Sequence, residues 1–391
     1  MGANIGEQLR DVRKRRGLTQ RELAELSGVS LSLIRKLEQG EKSDTRLETA
    51  RKLATALRVP TTRLMTDSRE DAATQETVDL WEPVRQMLVA HSEDKDLEEP
   101  TVEGIGSSLR AVLRLLSSNR LTDLGAVLPA LLRDAEALDK REPGERALRA
   151  TLMHVTGRLL TQTRQFDAAE MALENALDAS VDRLQGAAAA NTQGWLLLRR
   201  GRLAEARALA TEWADATEPR MSKATSDDLR AWGWFLLRVS AAGIRDNRPG
   251  EAEDSLRLAR AAAVAIGREY APHGTSFAPF GPVTVAMKHA ENAMIANRPD
   301  RVLQLASRIP LDQMQPSTNN RNRHLLDVAD AHARMRQFAE SVEVLQKVQA
   351  AAPEWLPHQR YARDIMGRIV AGRRSLTPEM RTLADTVGLP L

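Results

Sequence analysis

The sequence predicts an all-α protein in two parts, a small domain of five short helices followed by a long array of helical hairpins. Three observations predict it. Apolar residues recur at i, i+3 and i+4 rather than in alternation, the periodicity of a one-sided helix. Aromatic residues make up only 3% of the 391-residue chain and alanine and leucine dominate, a composition poor in the residues that favour strands. A pattern of small and apolar residues beginning at Gly157 returns at Gly194, 37 residues on, as a tandem array requires.

Taken in order, Ile5, Leu9 and Val12 stripe the first helix, which Gly17 ends. Thr19 and Glu22 have the spacing of a capping box, in which each side chain satisfies a free backbone N–H, so a second helix opens there. Ser30 opens the third helix and Gly40 closes it. Leu47, Ala50, Leu53, Ala54 and Leu57 stripe the fourth, and Pro60 stands where a short fifth would begin. The polar run DSREDAATQET at 67–77 reads as a linker. It divides the chain into a head (1–66), a connection (67–79) and a body (80–391).

Inside the head, residues 20–39 set small, glycine and apolar positions at fixed offsets. Ala24 is small where two helices cross, and Gly28 sits at a turn where a positive φ is easiest without a Cβ. Val29, Ile34 and Leu37 face inward and fix the angle of the following helix, which leaves Ser30, Leu31, Ser32, Arg35 and Lys36 on its outer face. Charge points the same way. Residues 1–66 hold 14 Lys+Arg against 8 Asp+Glu in a chain whose net charge is only +3, so a basic head precedes a mildly acidic body. Such a head suits a polyanion. The run Arg13-Lys14-Arg15-Arg16 is expected to be a helix end with solvated charge.

Residues 4–66, including the trailing Leu37-Glu38-Gln39-Gly40, resemble the Xre/phage-repressor class of helix-turn-helix domains. The resemblance implies a double-stranded DNA operator as partner. It places Thr19 and Gln20 at a phosphate, gripped through backbone N–H groups and a side-chain amide. Ser30, Ser32, Arg35 and Lys36 match base- and phosphate-facing positions, and Lys42 would touch the DNA backbone. Leu31 departs from the glutamine-rich pattern of the class and suits a thymine methyl. Arg35 suits a guanine or a phosphate equally. Regulators of this class bind inverted repeats as two-fold dimers, so a homodimer is expected, with the body as the dimerisation device.

In the body, Gly157, Leu160, Phe166, Ala169, Leu173 and Ala176 resemble the tetratricopeptide signature, whose small residues let two antiparallel helices approach closely. The pattern returns as Gly194, Leu197, Leu203, Ala206 and Ala210. Weaker echoes centre on Leu121-Leu124-Leu128, Pro249-Ala252-Leu256, Pro299-Val302-Ala306 and Phe338-Ser341-Leu345. Such units stack into a solenoid with a concave groove. Counting from the small residue of each first helix, the groove positions are His154, Arg158, Asn191, Trp195, Trp234, Met287, Glu291, Arg323 and Asp330. Asparagine and arginine suit a peptide backbone or a carboxylate, and tryptophan supplies apolar area. On apolar helix faces the two tryptophans are more often core than ligand platform. The run Asn319-Asn320-Arg321-Asn322-Arg323 reads as a polar loop entering a helix, and YAPHGTSFAPFGP (270–282) as either a gate or a packed connector. A helix-turn-helix head on such a body is similar to the peptide-pheromone sensors of the RRNPP type and to large actinobacterial regulators. That similarity implies quorum-sensing control by a peptide or small signalling molecule.

Other classes find no motif in the sequence. No stretch is long and apolar enough to span a membrane, and no secretory signal opens the chain. The absence of cysteine removes disulfides, thiolate metal sites and cysteine nucleophiles. The seven histidines lack metal-ligand spacing, and no HExxH helix, Gly-rich phosphate loop or GxSxG elbow occurs. The expectation is a cytoplasmic transcription regulator that is not an enzyme and uses no cofactor or metal. The alternative is a helical-repeat scaffold that docks a protein partner on DNA.

Overall fold

The computed structural model describes residues 5–42, 45, 47–61, 64, 79–89, 100–271, 277–311 and 318–390. The expected fifth head helix and the linker fall largely outside these residues. Four helices build the head: α1 (Ile5–Arg15), α2 (Gln20–Ser27), α3 (Leu31–Glu38) and α4 (Leu47–Leu57). Their inward stripes close a core of their own around Leu9, Leu23, Ile34, Leu37, Leu53 and Leu57, all fully buried. The Arg13–Arg16 expectation needs correction. Arg13 is buried, because its guanidinium turns inward to bond Glu38 and the Leu18 carbonyl.

The body begins with α5 (Glu82–Val89) and continues as six helical hairpins. They are α6 (Val102–Ser117) with α7 (Leu121–Asp134), α8 (Pro143–Gln162) with α9 (Phe166–Ala179), and α10 (Arg183–Arg200) with α11 (Leu203–Thr217). Then follow α12 (Ser226–Arg245) with α13 (Pro249–Ile266), α14 (Pro282–Ile295) with α15 (Pro299–Ala306), and α16 (Thr318–Arg334) with α17 (Phe338–Ala351). Helices α18 (Arg360–Gly372) and α19 (Pro378–Thr386) end the chain. The described residues form no sheet, and the single bridge pairs Tyr270 with Phe280. Among them, no helix is long and apolar enough to cross a membrane.

All six hairpins turn in the same way. One residue just past the first helix takes a left-handed conformation: Asn119, Arg164, Gly201, Asn247, Asn297 and Arg336, with φ between 56° and 76°. The next residue's N–H then reaches back to a carbonyl five positions earlier, as in Arg202 to Leu197 at 2.9 Å and Arg248 to Gly243 at 2.8 Å. This is a Schellman closure, which satisfies carbonyls that the helix end leaves open. Each hairpin's first helix also touches the first helix of the next hairpin, so α6, α8, α10, α12, α14, α16 and then α18 form one inner layer.

Side-chain size sets the spacing between helices. A Cβ on Gly157 would stand 2.6 Å from the Leu173 side chain, so α8 and α9 approach as the repeat pattern requires. Gly194 behaves differently: its Cβ would meet nothing nearer than Arg238 at 3.9 Å, because this position faces α12 and not its hairpin partner. Helix α12 is buried almost all round from Leu229 to Ile244 and forms the centre of the body.

The head packs on the body. The Thr61 hydroxyl donates to the Arg245 carbonyl at 2.8 Å, and Arg51 Nε to the Ile244 carbonyl at 3.1 Å. Asn247 Nδ2 donates to the Val59 carbonyl at 3.3 Å, and Arg334 stands 3.4 Å from Glu48. The end of α12 and its turn are thus a seat for α4 and the chain that follows it.

Candidate functional site

Two sites stand out, the outer face of α3 and a cavity inside the body. The α3 face is built from its caps. Thr19 Oγ1 accepts from the Glu22 N–H at 3.2 Å while Glu22 Oε2 accepts from the Thr19 N–H at 2.7 Å, which completes the capping box. Gly28 ends α2 with φ 68°, a left-handed conformation that a Cβ would strain. Ser30 then caps α3 by accepting from the Leu33 N–H at 3.3 Å.

Orientation comes from Glu38 at the far end of α3. It accepts from Arg13 Nε at 2.6 Å, Arg13 Nη2 at 2.7 Å and Gln20 Nε2 at 2.8 Å, so one carboxylate ties α1, α2 and α3 together. Burial raises the Glu38 pKa, but the bonds from Arg13 and Gln20 outweigh it and hold the group ionised below its ordinary range. The Gln20 amide therefore already has an internal partner for one of its N–H groups. Ser32, Arg35 and Lys36 are exposed, Leu31 is half-buried, and Arg35 and Lys36 meet no carboxylate among the described residues. Lys42 is also exposed, with its N–H bonded back to the Lys36 carbonyl at 3.1 Å.

The second site is a cavity of about 220 Å³ lined by the inner helices. Helix α8 contributes His154 and Arg158; α10 contributes Asn191, Trp195 and Arg199; α12 contributes Trp234, Arg238 and Arg245. Helix α14 adds Lys288 and Glu291, α16 adds Asn319, Asn320 and Arg323, and Phe277, Ala278 and Trp355 are also part of the wall. Seven of the nine groove residues expected from the sequence thus meet in one cavity. Met287 does not. It is buried against Val283 and Ile309, since it lies about 100° round the helix from its neighbour Lys288, which does face the cavity. Asp330 also stands apart, bonded to Arg334, Tyr361 and Arg368.

The polar groups of the wall divide into paired and unpaired. Glu291 takes Arg245 and, at 2.8 Å, Lys288. Burial opposes its charge, yet Lys288, Arg245 and Arg323 together hold its pKa well below the carboxylate range. Arg238 Nε donates to Asn191 Oδ1 at 2.9 Å and lies 5.3 Å from the centre of the Trp234 ring. Trp234 is itself buried and donates to the Ala278 and Pro279 carbonyls at 3.1 Å, so it anchors the end of the 270–282 segment as well as facing the cavity. Residues 277–280 are therefore packed, whereas 272–276 lie outside the described residues. His154 Nε2 is 2.7 Å from the Thr192 hydroxyl, and burial with Arg158 nearby pulls its pKa down to about 3. Arg158 and Arg199 meet no carboxylate among the described residues. Arg199 instead stands 5.7 Å over the Trp195 ring. Burial, with Arg164 and Arg323 nearby, lowers its pKa to about 9.

Sequence reasoning missed Arg199, Arg238, Arg245 and Lys288. The signal was available: Arg199 and Arg238 lie four positions after Trp195 and Trp234, on the same helix faces.

Residues 9–64 match the helix-turn-helix family. The chain is also similar to two proteins of Bacillus subtilis (strain 168). It is 44% identical over 62 residues to the HTH-type transcriptional repressor RghR, covering 16% of this chain and 46% of that protein. It is 43% identical over 61 residues to RghRB, an uncharacterized HTH-type transcriptional regulator, covering 16% of this chain and 44% of the relative. The chain spans less than half the length of the curated relatives it matches.

Proposed function

We propose that the protein is a DNA-binding transcription regulator whose head reads an operator and whose tetratricopeptide-like body dimerises and senses a small effector. The observation that carries the reading is the outer face of α3. Arg35 and Lys36 point away from a helix whose back is fixed by Ile34, Leu37 and the Glu38 network, in a region that matches the helix-turn-helix family. Ser30, Leu31 and Ser32 complete the edge offered to a major groove, with Thr19, Gln20 and Lys42 beside the phosphates.

The division into head, connection and body at 1–66, 67–79 and 80–391 belongs to the same proposal. So does the likeness of the body to RRNPP-type sensors. An effector shifts operator binding only by its difference in affinity between two arrangements of the protein. The head seat supplies a local route for that difference. Arg245 lines the cavity with its side chain and holds Thr61 with its carbonyl, and burial together with Arg245 lowers the Arg51 pKa to about 10.

Selection of bound fragments from random genomic DNA, with and without a low-molecular-weight cell extract, tests this. An enriched inverted repeat whose recovery changes with the extract is expected. Recovery of no sequence motif would remove the operator-reading role.

A further inference from the structure

The body cavity holds six cations, Arg158, Arg199, Arg238, Arg245, Lys288 and Arg323, against one lining carboxylate, Glu291. That carboxylate is already shared by Arg245 and Lys288, and Arg323 has Asp327 at 3.6 Å behind the wall. Arg158 and Arg199 have no such neighbour among the described residues. The two sit on adjacent inner helices, α8 and α10, and their side chains face the same space. Burying a guanidinium without a carboxylate is unfavourable unless something of opposite charge completes the site. The structure also supplies a flat wall, the half-buried Trp195 ring beneath Arg199.

We propose that the cavity is a binding site for a small multiply charged anion, one bearing at least two carboxylate or phosphoryl groups, seated between Arg158 and Arg199 with Arg238 and Arg323 alongside. The proposal rests on the effector-sensing reading and names the chemistry of the effector. A neutral ligand would desolvate these cations further without neutralising them, and a zwitterion would bring a like charge into the same space. Guanidinium groups suit planar carboxylate and tetrahedral phosphoryl oxygens alike through paired N–H donors. An aromatic or apolar body on the anion would lie against Trp195.

The test uses the full-length protein and two probes, citrate and inorganic pyrophosphate, at ionic strength matched with potassium chloride. Thermal unfolding and titration calorimetry are read for the wild type, for Arg158→Gln with Arg199→Gln, and for Arg35→Ala with Lys36→Ala. At least one probe should raise the unfolding temperature of the wild type and of the α3 variant, and lose tenfold or more in affinity in the cavity variant. The unliganded cavity variant should unfold at a temperature no lower than wild type, because like charges have been removed, so loss of binding is not loss of fold. The stronger probe identifies the carboxylate or the phosphoryl source. No response to either probe, or a response retained in the cavity variant, overturns the proposal. Operator affinity measured with the bound probe separates the two readings. Binding without any change in operator affinity leaves the anion site standing and removes effector sensing through it.

Discussion

The Thr61 hydroxyl donates to the Arg245 carbonyl at 2.8 Å across 184 residues of sequence, and the Arg245 guanidinium at the other end of the same residue holds Glu291 inside the cavity. One residue therefore touches both the head and the candidate effector site. Arg51 and Asn247 add hydrogen bonds to the same seam. Each such bond contributes on the order of 0.5–1.5 kcal/mol net, so two of them shift a docked–undocked balance by roughly five- to 150-fold. Replacing Arg51 and Asn247 together with alanine is expected to broaden the head–body distance. The chain has no cysteine, so two engineered cysteines, one in the head and one in the body, give clean labelling for single-molecule energy transfer. A distance distribution identical to wild type would show that the seam does not hold the head.

Arg35 and Lys36 are expected to differ in how their loss reads out. Removing a bidentate contact to guanine costs about 1–3 kcal/mol and relaxes preference at one base, whereas removing a phosphate contact weakens all sequences and lowers the salt slope by about one. Operator titrations of Arg35→Ala and Lys36→Ala at several salt concentrations distinguish these. Unchanged affinity in both variants would detach α3 from the DNA.

Much of this architecture is legible in the sequence because its signals are local. Thr19 with Glu22, Gly28, Ser30 and the stripe Ile34–Leu37 each report on a backbone within four residues, and the structure has all of them where the spacing puts them. The six hairpins are legible for the same reason, although their spacing is irregular. The turn between paired helices is constant, while the connections between pairs differ in length, from residues 180–182 to residues 267–281. What escapes is long-range. Arg13 looks like part of a solvated basic run until Glu38, 25 residues away, is seen to accept from it. A count from small residues finds one or two cavity positions per helix but passes over Arg199 and Arg238 a turn later. The same count mistakes Met287 for Lys288, since a one-residue error rotates a side chain by about 100°.

Glu38 is expected to be the most sensitive single position in the head. Glu38→Ala leaves the Arg13 guanidinium buried without its carboxylate, a change that costs about 3–5 kcal/mol when a buried pair is broken from one side. The double replacement Arg13→Met with Glu38→Leu removes both charges and should recover much of that loss. The head contains no tryptophan, so hydrogen exchange of peptides from α1 to α3 is the appropriate measurement. Equal protection in Glu38→Ala and wild type would mean that the carboxylate does not organise the head.

His154 makes a prediction about acid. Burial, with Arg158 beside it, lowers its pKa to about 3, well under its ordinary value of 6.5. The folded protein therefore keeps the imidazole neutral while the unfolded chain takes up a proton below about pH 6.5. The contribution to stability is full above that pH and falls as the pH drops toward 3, by about 2 kcal/mol at pH 5. His324, lowered to about 4 by burial and then by Lys288, acts with the same sign over a narrower window. Asp327 acts with the opposite sign. Burial raises its pKa to about 6, so the folded state holds a proton more tightly than the unfolded chain, and acidification from pH 6 toward 4 relieves a penalty. Comparing variants separates the three. His154→Gln can keep a hydrogen bond to Thr192 without titrating, so its unfolding temperature should fall less than that of wild type between pH 7 and pH 5. Asp327→Asn should gain most on wild type above pH 6. If all three proteins lose stability in parallel across this range, these buried groups do not set the acid response of the fold.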